Sequence, residues 1–207
     1  MERKVYVVRH AVVENPHKVL YGRLPGFHLS REGEANIYEL AEKIKASGTK
    51  FSRIYTSPLE RTRETAKILS NVLGVPTEPN DALLEVKCKL LEGKNRLQQL
   101  RLYLLHGIDI YSDYYTQRGV EPANVIMNRM QKFIQAKLEQ TEGNFMVVSH
   151  GDPINLLIWS YVHRDRDFRK SFYLRKFENY PKKGQAMVLV FDQDVKFLRL
   201  VWQKRWF

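Results

Sequence analysis

The run Val5-Tyr6-Val7-Val8 ends directly at Arg9-His10. It is short, continuously apolar and rich in β-branched side chains, the pattern of a strand buried on both faces. Downstream, Ala11 to Leu29 has no hydrophobic period and carries Pro16, Gly22, Pro25 and Gly26, so it reads as a long loop. Loops of that length inside a compact domain are usually functional. Ser30 is a plausible N-cap for a helix whose apolar face is Ile37, Leu40, Ala41 and Ile44, with Gly48 as its stop. Phe51 to Thr56 reads as a second strand. Ser57-Pro58-Leu59-Glu60 then predicts a helix start with a serine N-cap, proline at the first helical position and a capping box closed by the glutamate. That helix continues through Ala66, Leu69 and Leu73 to Gly74.

The second half repeats the alternation. Residues 75–95 hold a short extended piece and a polar loop, and 96–118 mix helical spacing (Leu97, Leu100, Leu104) with a tyrosine-rich stretch. Pro122 opens a helix with Ile126, Met130, Phe133 and Ile134 on one face. Phe145 to Ser149 is a third strand ending at His150-Gly151, and Pro153 to Val162 an apolar helix. Ala186 to Phe191 and Val195 to Val201 flank Asp192-Gln193-Asp194 as a β-hairpin. Strands alternating with helices predict a three-layer α/β/α sandwich with a mostly parallel central sheet, a C-terminal β-hairpin and a small cap segment. We expect a single domain over 1–207, with about 86–119 as the cap insertion.

Composition narrows the class. The chain has 207 residues, 43% hydrophobic and 28% charged, enough to bury a sizeable core. No apolar run reaches the length of a membrane span, and four apolar residues before Arg9 are too few for a signal sequence. Cys88 is the single cysteine, so neither an intramolecular disulfide nor a cysteine zinc site is expected. A cytoplasmic protein with no membrane partner is the expectation. The formal charge of +11 favours anionic partners, although the charges are spread along the chain.

Ligands of parallel sheets bind beyond the carboxyl ends of the strands. Arg9, His10 and His150 stand at such ends, and Ser57 begins a helix that carries Arg61 one turn on. Two guanidiniums and a helix start make a phosphate cradle. A histidine inside it is either a cationic donor to oxygen or, when neutral, a nucleophile toward phosphorus.

These residues resemble the histidine phosphatase superfamily (phosphoglycerate mutase-like). The resemblance rests on Val8-Arg9-His10-Ala11, on Ser57-Pro58-Leu59-Glu60-Arg61 with Thr65-Ala66, on Leu83-Leu84-Glu85 ahead of Glu92-Gly93, and on Val148-Ser149-His150-Gly151. Tyr21-Gly22-Arg23, Leu29-Ser30-x-x-Gly33 and Gly119-x-Glu121 ahead of Arg129 add to it. The chain departs from the family pattern at Ala11, which replaces a glycine, at Val13 and Asn15, and at Asp152.

The resemblance implies a phosphomonoester hydrolase of the phosphatase branch, with His10 as nucleophile. Arg9, Arg61 and a protonated His150 would hold the phosphoryl oxygens. Glu85 would be the general acid and base, with Glu92 a competitor on the same loop. Asn15, Gly22 and Arg23 would join the substrate site. No metal or cofactor is implied, and the partner is a phosphorylated small molecule. Two other functions stay open: a phosphoglycerate mutase that returns the phosphoryl group, and a non-catalytic basic binding module. The 207-residue length favours the phosphatase branch over the longer mutases. Nucleic acid is not expected, since no zinc-finger or RNP spacing occurs. His17, His28, His106 and His163 read as surface or loop residues and Cys88 as a passive thiol. Tyr111, Tyr114 and Tyr115 read as packing or the lining of a cap. The aromatic and basic Trp202–Phe207 segment reads as an edge cap or a surface for homo-oligomers.

Overall fold

Alternation within single strands builds the molecule. In the strand Arg3–Arg9 (β1), Val5 and Val7 enter one hydrophobic core while Tyr6 and Val8 enter a second on the opposite face. The strands Ile54–Thr56 (β2) and Phe145–Ser149 (β4) divide the same way: Tyr55, Phe145 and Val147 to the first core, Ile54, Met146 and Val148 to the second. A computed structural model describes residues 2–163 and 180–202.

With Thr77–Pro79 (β3), Ala186–Phe191 (β5) and Phe197–Trp202 (β6), the strands form one six-stranded sheet in the order β3-β2-β4-β1-β5-β6. The β3, β2, β4 and β1 ladders are parallel, and β5 and β6 are antiparallel additions at one edge. One face is covered by the helices Arg31–Ala46 (α1) and Glu60–Leu73 (α2). The other is covered by Ala123–Gln140 (α5), Gly151–Val162 (α6) and the segment between Leu83 and Val120. That segment contains the helices Arg96–His106 (α3) and Asp113–Thr116 (α4). The architecture is the predicted three-layer sandwich with its C-terminal hairpin.

Helix α1 begins as its sequence dictates: the Ser30 side chain accepts from Gly33 N. Its predicted face, Ile37, Leu40, Ala41 and Ile44, is buried, which for each leucine or isoleucine stabilises the fold by about 1.5–3 kcal/mol.

Some boundaries differ from expectation for identifiable reasons. Strand β2 starts at Ile54 rather than Phe51, and the Phe51 ring packs edge-on against Tyr6 at 4.8 Å. Helix α2 starts at Glu60, with Leu59 as its uncapped N-cap residue. The capping box at Ser57–Glu60 does not form; the Ser57 hydroxyl meets His150 Nε2 at 2.8 Å. Helix α6 starts at Gly151, ahead of Pro153. Strand β6 starts at Phe197 because Val195, with φ of 62°, belongs to the turn. Residues 203–207, most of the aromatic C-terminal segment, lie outside the described residues.

Candidate active site

His10 follows β1, and its backbone N–H bonds Ser149 O at 3.0 Å, which ties the end of β1 to the end of β4. Its ring is fully buried. Nδ1 lies 2.8 Å from Ala11 O. A carbonyl can only accept, so Nδ1 carries the proton and Nε2 keeps its lone pair. Nε2 has no hydrogen-bond partner among the described residues. Burial first, then the Arg61 and Arg9 charges, hold the His10 pKa well below its usual value. The imidazole is therefore neutral, with an unprotonated and unpartnered Nε2. Ala11 bears no left-handed strain, since the positive-φ non-glycine residues are Lys18 and Val195.

Arg61 is buried on the first turn of α2. Its Nη2 donates to Gly22 O at 2.7 Å and lies 3.2 Å from His150 Nδ1. The Tyr21 ring packs 4.7 Å from its guanidinium carbon. Nε and Nη1 have no partner among the described residues, nor does Arg9 Nε. Gly22 is needed where it stands: its φ is 43°, and a Cβ there would lie 2.5 Å from Glu92 Cγ.

His150 stands beside His10, with ring centroids 5.3 Å apart. Its Nε2 meets Ser57 Oγ at 2.8 Å while Nδ1 faces the Arg61 donor. Arg61 has only hydrogens to offer, so His150 is the neutral Nε2–H tautomer. Burial, Arg61 and His10 depress its pKa well below the ordinary histidine value. Burial and the guanidinium charges of Arg61, Arg129 and Arg9 disfavour a second proton on the ring in this unliganded form. Ser57 is a residue whose role the sequence concealed, because Ser before Pro reads first as a cap.

Glu85 lies across the cluster, its Oε2 at 3.9 Å from His150 Nδ1. Oε1 accepts from Val86 N at 2.9 Å. Burial and the nearby Asp152 charge raise its pKa to about 7, against the opposing pull of Arg61. Asp152 is itself held between two tyrosine hydroxyls, Tyr111 to Oδ2 and Tyr180 to Oδ1, each at 2.7 Å. Tyr180 also lies under Arg9, whose guanidinium carbon is 5.1 Å from the ring centroid and whose Nη1 donates to Pro181 O at 2.8 Å.

Two expected substrate residues are turned elsewhere. Asn15 spends its carboxamide on its own loop, donating to Val19 O at 2.8 Å and accepting from Val19 N at 3.1 Å. Arg23 donates from Nε to Glu85 O at 2.7 Å and from Nη2 to Glu121 Oε2 at 2.8 Å. Glu121 in turn accepts from Arg129 Nε at 2.8 Å, and Arg129 donates to Ala82 O and Leu84 O. This ion network fastens the backbone on both sides of Glu85. Glu92 accepts from Arg23 N at 2.8 Å and so supports the Gly22 loop.

A cavity of about 700 Å³ opens beside the cluster. Arg9, Tyr21, Gly22, Glu85 and Asp152 form its inner end. Leu91, Tyr103, Ile108 and Ile110 give its outer part an apolar wall, with Lys18, Arg96 and Gln99 among the polar lining. His10, Arg61 and His150 are not among its lining residues. Tyr21 lines the cavity and reaches back to His10, with ring centroids 6.2 Å apart. Cys88 also lines the cavity, and burial pushes its thiol up to about 11, which makes it unreactive. No group of three or more His, Cys, Asp or Glu able to hold a metal occurs among the described residues.

Comparison with known proteins accords with this geometry. An uncharacterized protein of Mycobacterium tuberculosis (strain ATCC 25618 / H37Rv), Rv0525, is 42% identical over 81 residues, 38% of this chain and 39% of that protein. The match thus spans about two fifths of that relative's length. A probable phosphoglycerate mutase GpmB of Yersinia enterocolitica is 26% identical over 182 residues, 80% of each chain. Among solved structures, Bacillus stearothermophilus YhfR superposes with a TM-score of 0.82 at 18% identity, covering 97% of this chain and 96% of that one. The family model of the histidine phosphatase superfamily (branch 1) matches residues 5–180, and the chain belongs to that superfamily.

Proposed function

We propose that the protein is a phosphomonoester hydrolase working through a phosphohistidine on His10. The observation that carries this is a set of orphaned atoms. His10 Nε2, Arg61 Nε and Nη1, and Arg9 Nε are buried together without partners among the described residues. A buried polar atom left unpaired is costly, and a lone pair ringed by guanidinium donors suits one class of guest, a phosphoryl group. Nε2 attacks phosphorus, the ester P–O bond breaks, and the Glu85 proton passes to the departing alkoxide. Water then attacks phosphorus, gives a proton to Glu85, and the P–N bond breaks. Arg9 and Arg61 stabilise the equatorial oxygens, where charge gathers in a loose transition state. A dianion arriving beside His150 favours its protonation and makes it a further donor. Tyr21 must yield for an ester entering from the cavity to reach His10. The chemistry calls on no metal, and a cytoplasmic setting suits the lone buried thiol.

Hydrolysis is favoured over mutase activity by the cavity. Its lining is more apolar than polar, and the Asp152 carboxylate near Glu85 opposes a second carboxylate close to the phosphorus, although Lys18 and Arg96 also belong to the lining. The alcohol half of the ester is accordingly apolar and uncharged near phosphorus. The test is a panel of phosphomonoesters assayed with the parent and His10→Ala, with and without a chelator. Free phosphate release, with acid-labile phosphoryl labelling absent in His10→Ala, is expected. Isomerisation of 3-phosphoglycerate with little free phosphate would assign the mutase instead, and salt-sensitive nucleic-acid binding without hydrolysis would assign the binding module.

A further inference from the structure

Helix α3 is apolar on both sides, yet none of its residues is buried. Its inner side is Leu102 and Tyr103, packed against the core. Its outer side is Leu97, Leu100 and Leu104, spaced three and four apart and 62%, 50% and 77% exposed. Leu105 and Ile108 extend the exposed apolar surface to 75% and 65%. A helix with hydrophobic residues all round normally has a partner on each side, and a cluster of five exposed aliphatic side chains marks an interaction surface.

The charge around this surface tells what covers it. Arg96 and Arg101 lie on the helix itself, Lys87, Lys89 and Lys94 precede it in the chain, and Glu92 is the single acid between residues 86 and 106, with Asp109 following Ile108. Lys87, Lys89, Arg96 and Arg101 are exposed. Lysine and arginine beside a row of leucines is the composition of a helix that lies flat on an anionic lipid surface. A second copy of the same face would set these cations against one another. The surface is also continuous with the substrate cavity, because Ile108 belongs to both.

We propose that the outer face of α3 docks on anionic membrane lipid and brings the mouth of the active-site cavity to the bilayer surface. The expectation of no membrane partner rested on the lack of an apolar span, and no described helix is long and apolar enough to cross a membrane. A helix lying in the interface needs no span.

Vesicle binding tests this without any substrate, so its outcome is separate from that of the phosphatase assay. The whole chain is floated with vesicles of phosphatidylglycerol and phosphatidylcholine, and with phosphatidylcholine alone. Binding to the anionic vesicles alone, weakened by salt, is expected. The double variant Leu100→Gln/Leu104→Gln should weaken it by about tenfold or more. Its melting temperature and its hydrolysis of a water-soluble ester should match the parent. Lys89→Gln/Arg101→Gln should reduce binding while leaving the leucines in place. No flotation, or flotation indifferent to both variants, overturns the proposal. So does a dimer in sedimentation velocity that Leu100→Gln/Leu104→Gln splits, which would give the face to a second copy.

Discussion

Glu85 Oε2 stands 3.9 Å from His150 Nδ1, and the surroundings of both favour their neutral forms. Burial and Asp152 lift the carboxyl to about 7, and burial with Arg61 lowers the imidazole. Two groups that could share an ion pair are instead held as a carboxylic acid beside a neutral base. On the proposed mechanism, the proton for a leaving alkoxide comes from Glu85, which is largely protonated below pH 7.

The pH profile follows. For an alkyl phosphate, kcat/KM should fall about tenfold per pH unit above a pKa of about 7, as Glu85 loses its proton. The His10 pKa is depressed, so its imidazole stays neutral across this range and, as the proposed nucleophile, sets no limit near neutrality. Glu85→Gln should abolish the alkaline limb. It should also cost alkyl esters far more than p-nitrophenyl phosphate, whose leaving group departs without a proton. An alkaline limb that persists in Glu85→Gln would remove Glu85 from the acid role.

The same carboxyl has a stability consequence. Its folded pKa of about 7 lies above the ordinary 4.5, so its contribution is fully present below 4.5 and lost as pH rises through 7. At pH 8 the ionised Glu85 weakens the fold by about 3 kcal/mol, from a shift of some 2.5 units at 1.36 kcal/mol each. Glu85→Gln, which imitates the protonated form, should therefore raise the melting temperature at pH 8 and match the parent near pH 4. Equal melting temperatures at both pH values would mean that the site does not strain this carboxylate.

Gly22 links the loop to the arginine. Its carbonyl accepts from Arg61, its φ is 43°, and a side chain there would collide with Glu92. Gly22→Ala should lower stability by about 2–3 kcal/mol and kcat/KM by about tenfold or more, since Arg61 loses a fixed acceptor. Adding Glu92→Ala removes the collision but not the backbone strain, so the double variant should recover only part of the loss. Full recovery would show that crowding alone makes glycine necessary.

What the sequence disclosed of this site depended on how local each signal was. Val5 to Val8 and Phe145 to Ser149 showed themselves as strands because continuous burial leaves continuous apolar residues. The placement of His10, Arg61 and His150 at one rim followed from their positions at strand ends and on a first helical turn. The ion pair of Arg23 had no local signal, because its partner Glu121 lies nearly a hundred residues away. Ser57 misled because a cap and a histidine partner need the same hydroxyl. Tyr180, drawn to Asp152 and Arg9 from 28 and more residues away, carries no local signal at all.

Asp152 offers the sharpest test of substrate choice. Its two oxygens accept from Tyr111 and Tyr180, it lines the cavity, and its charge helps raise Glu85. Asp152→Asn keeps the shape, because a tyrosine hydroxyl can turn to accept from the new amide. Removing the charge has two separable effects. The Glu85 pKa falls, so the alkaline limb of kcat/KM should move below 7. A substrate with a carboxylate near its phosphate is no longer repelled, so the KM for 3-phosphoglycerate should drop by about tenfold, the effect of one nearby charge in a partly dry cavity. The KM for an uncharged alkyl phosphate should move much less. Equal changes for both esters would mean that Asp152 acts on the common phosphate end, and the cavity would then lose its role in choosing the alcohol.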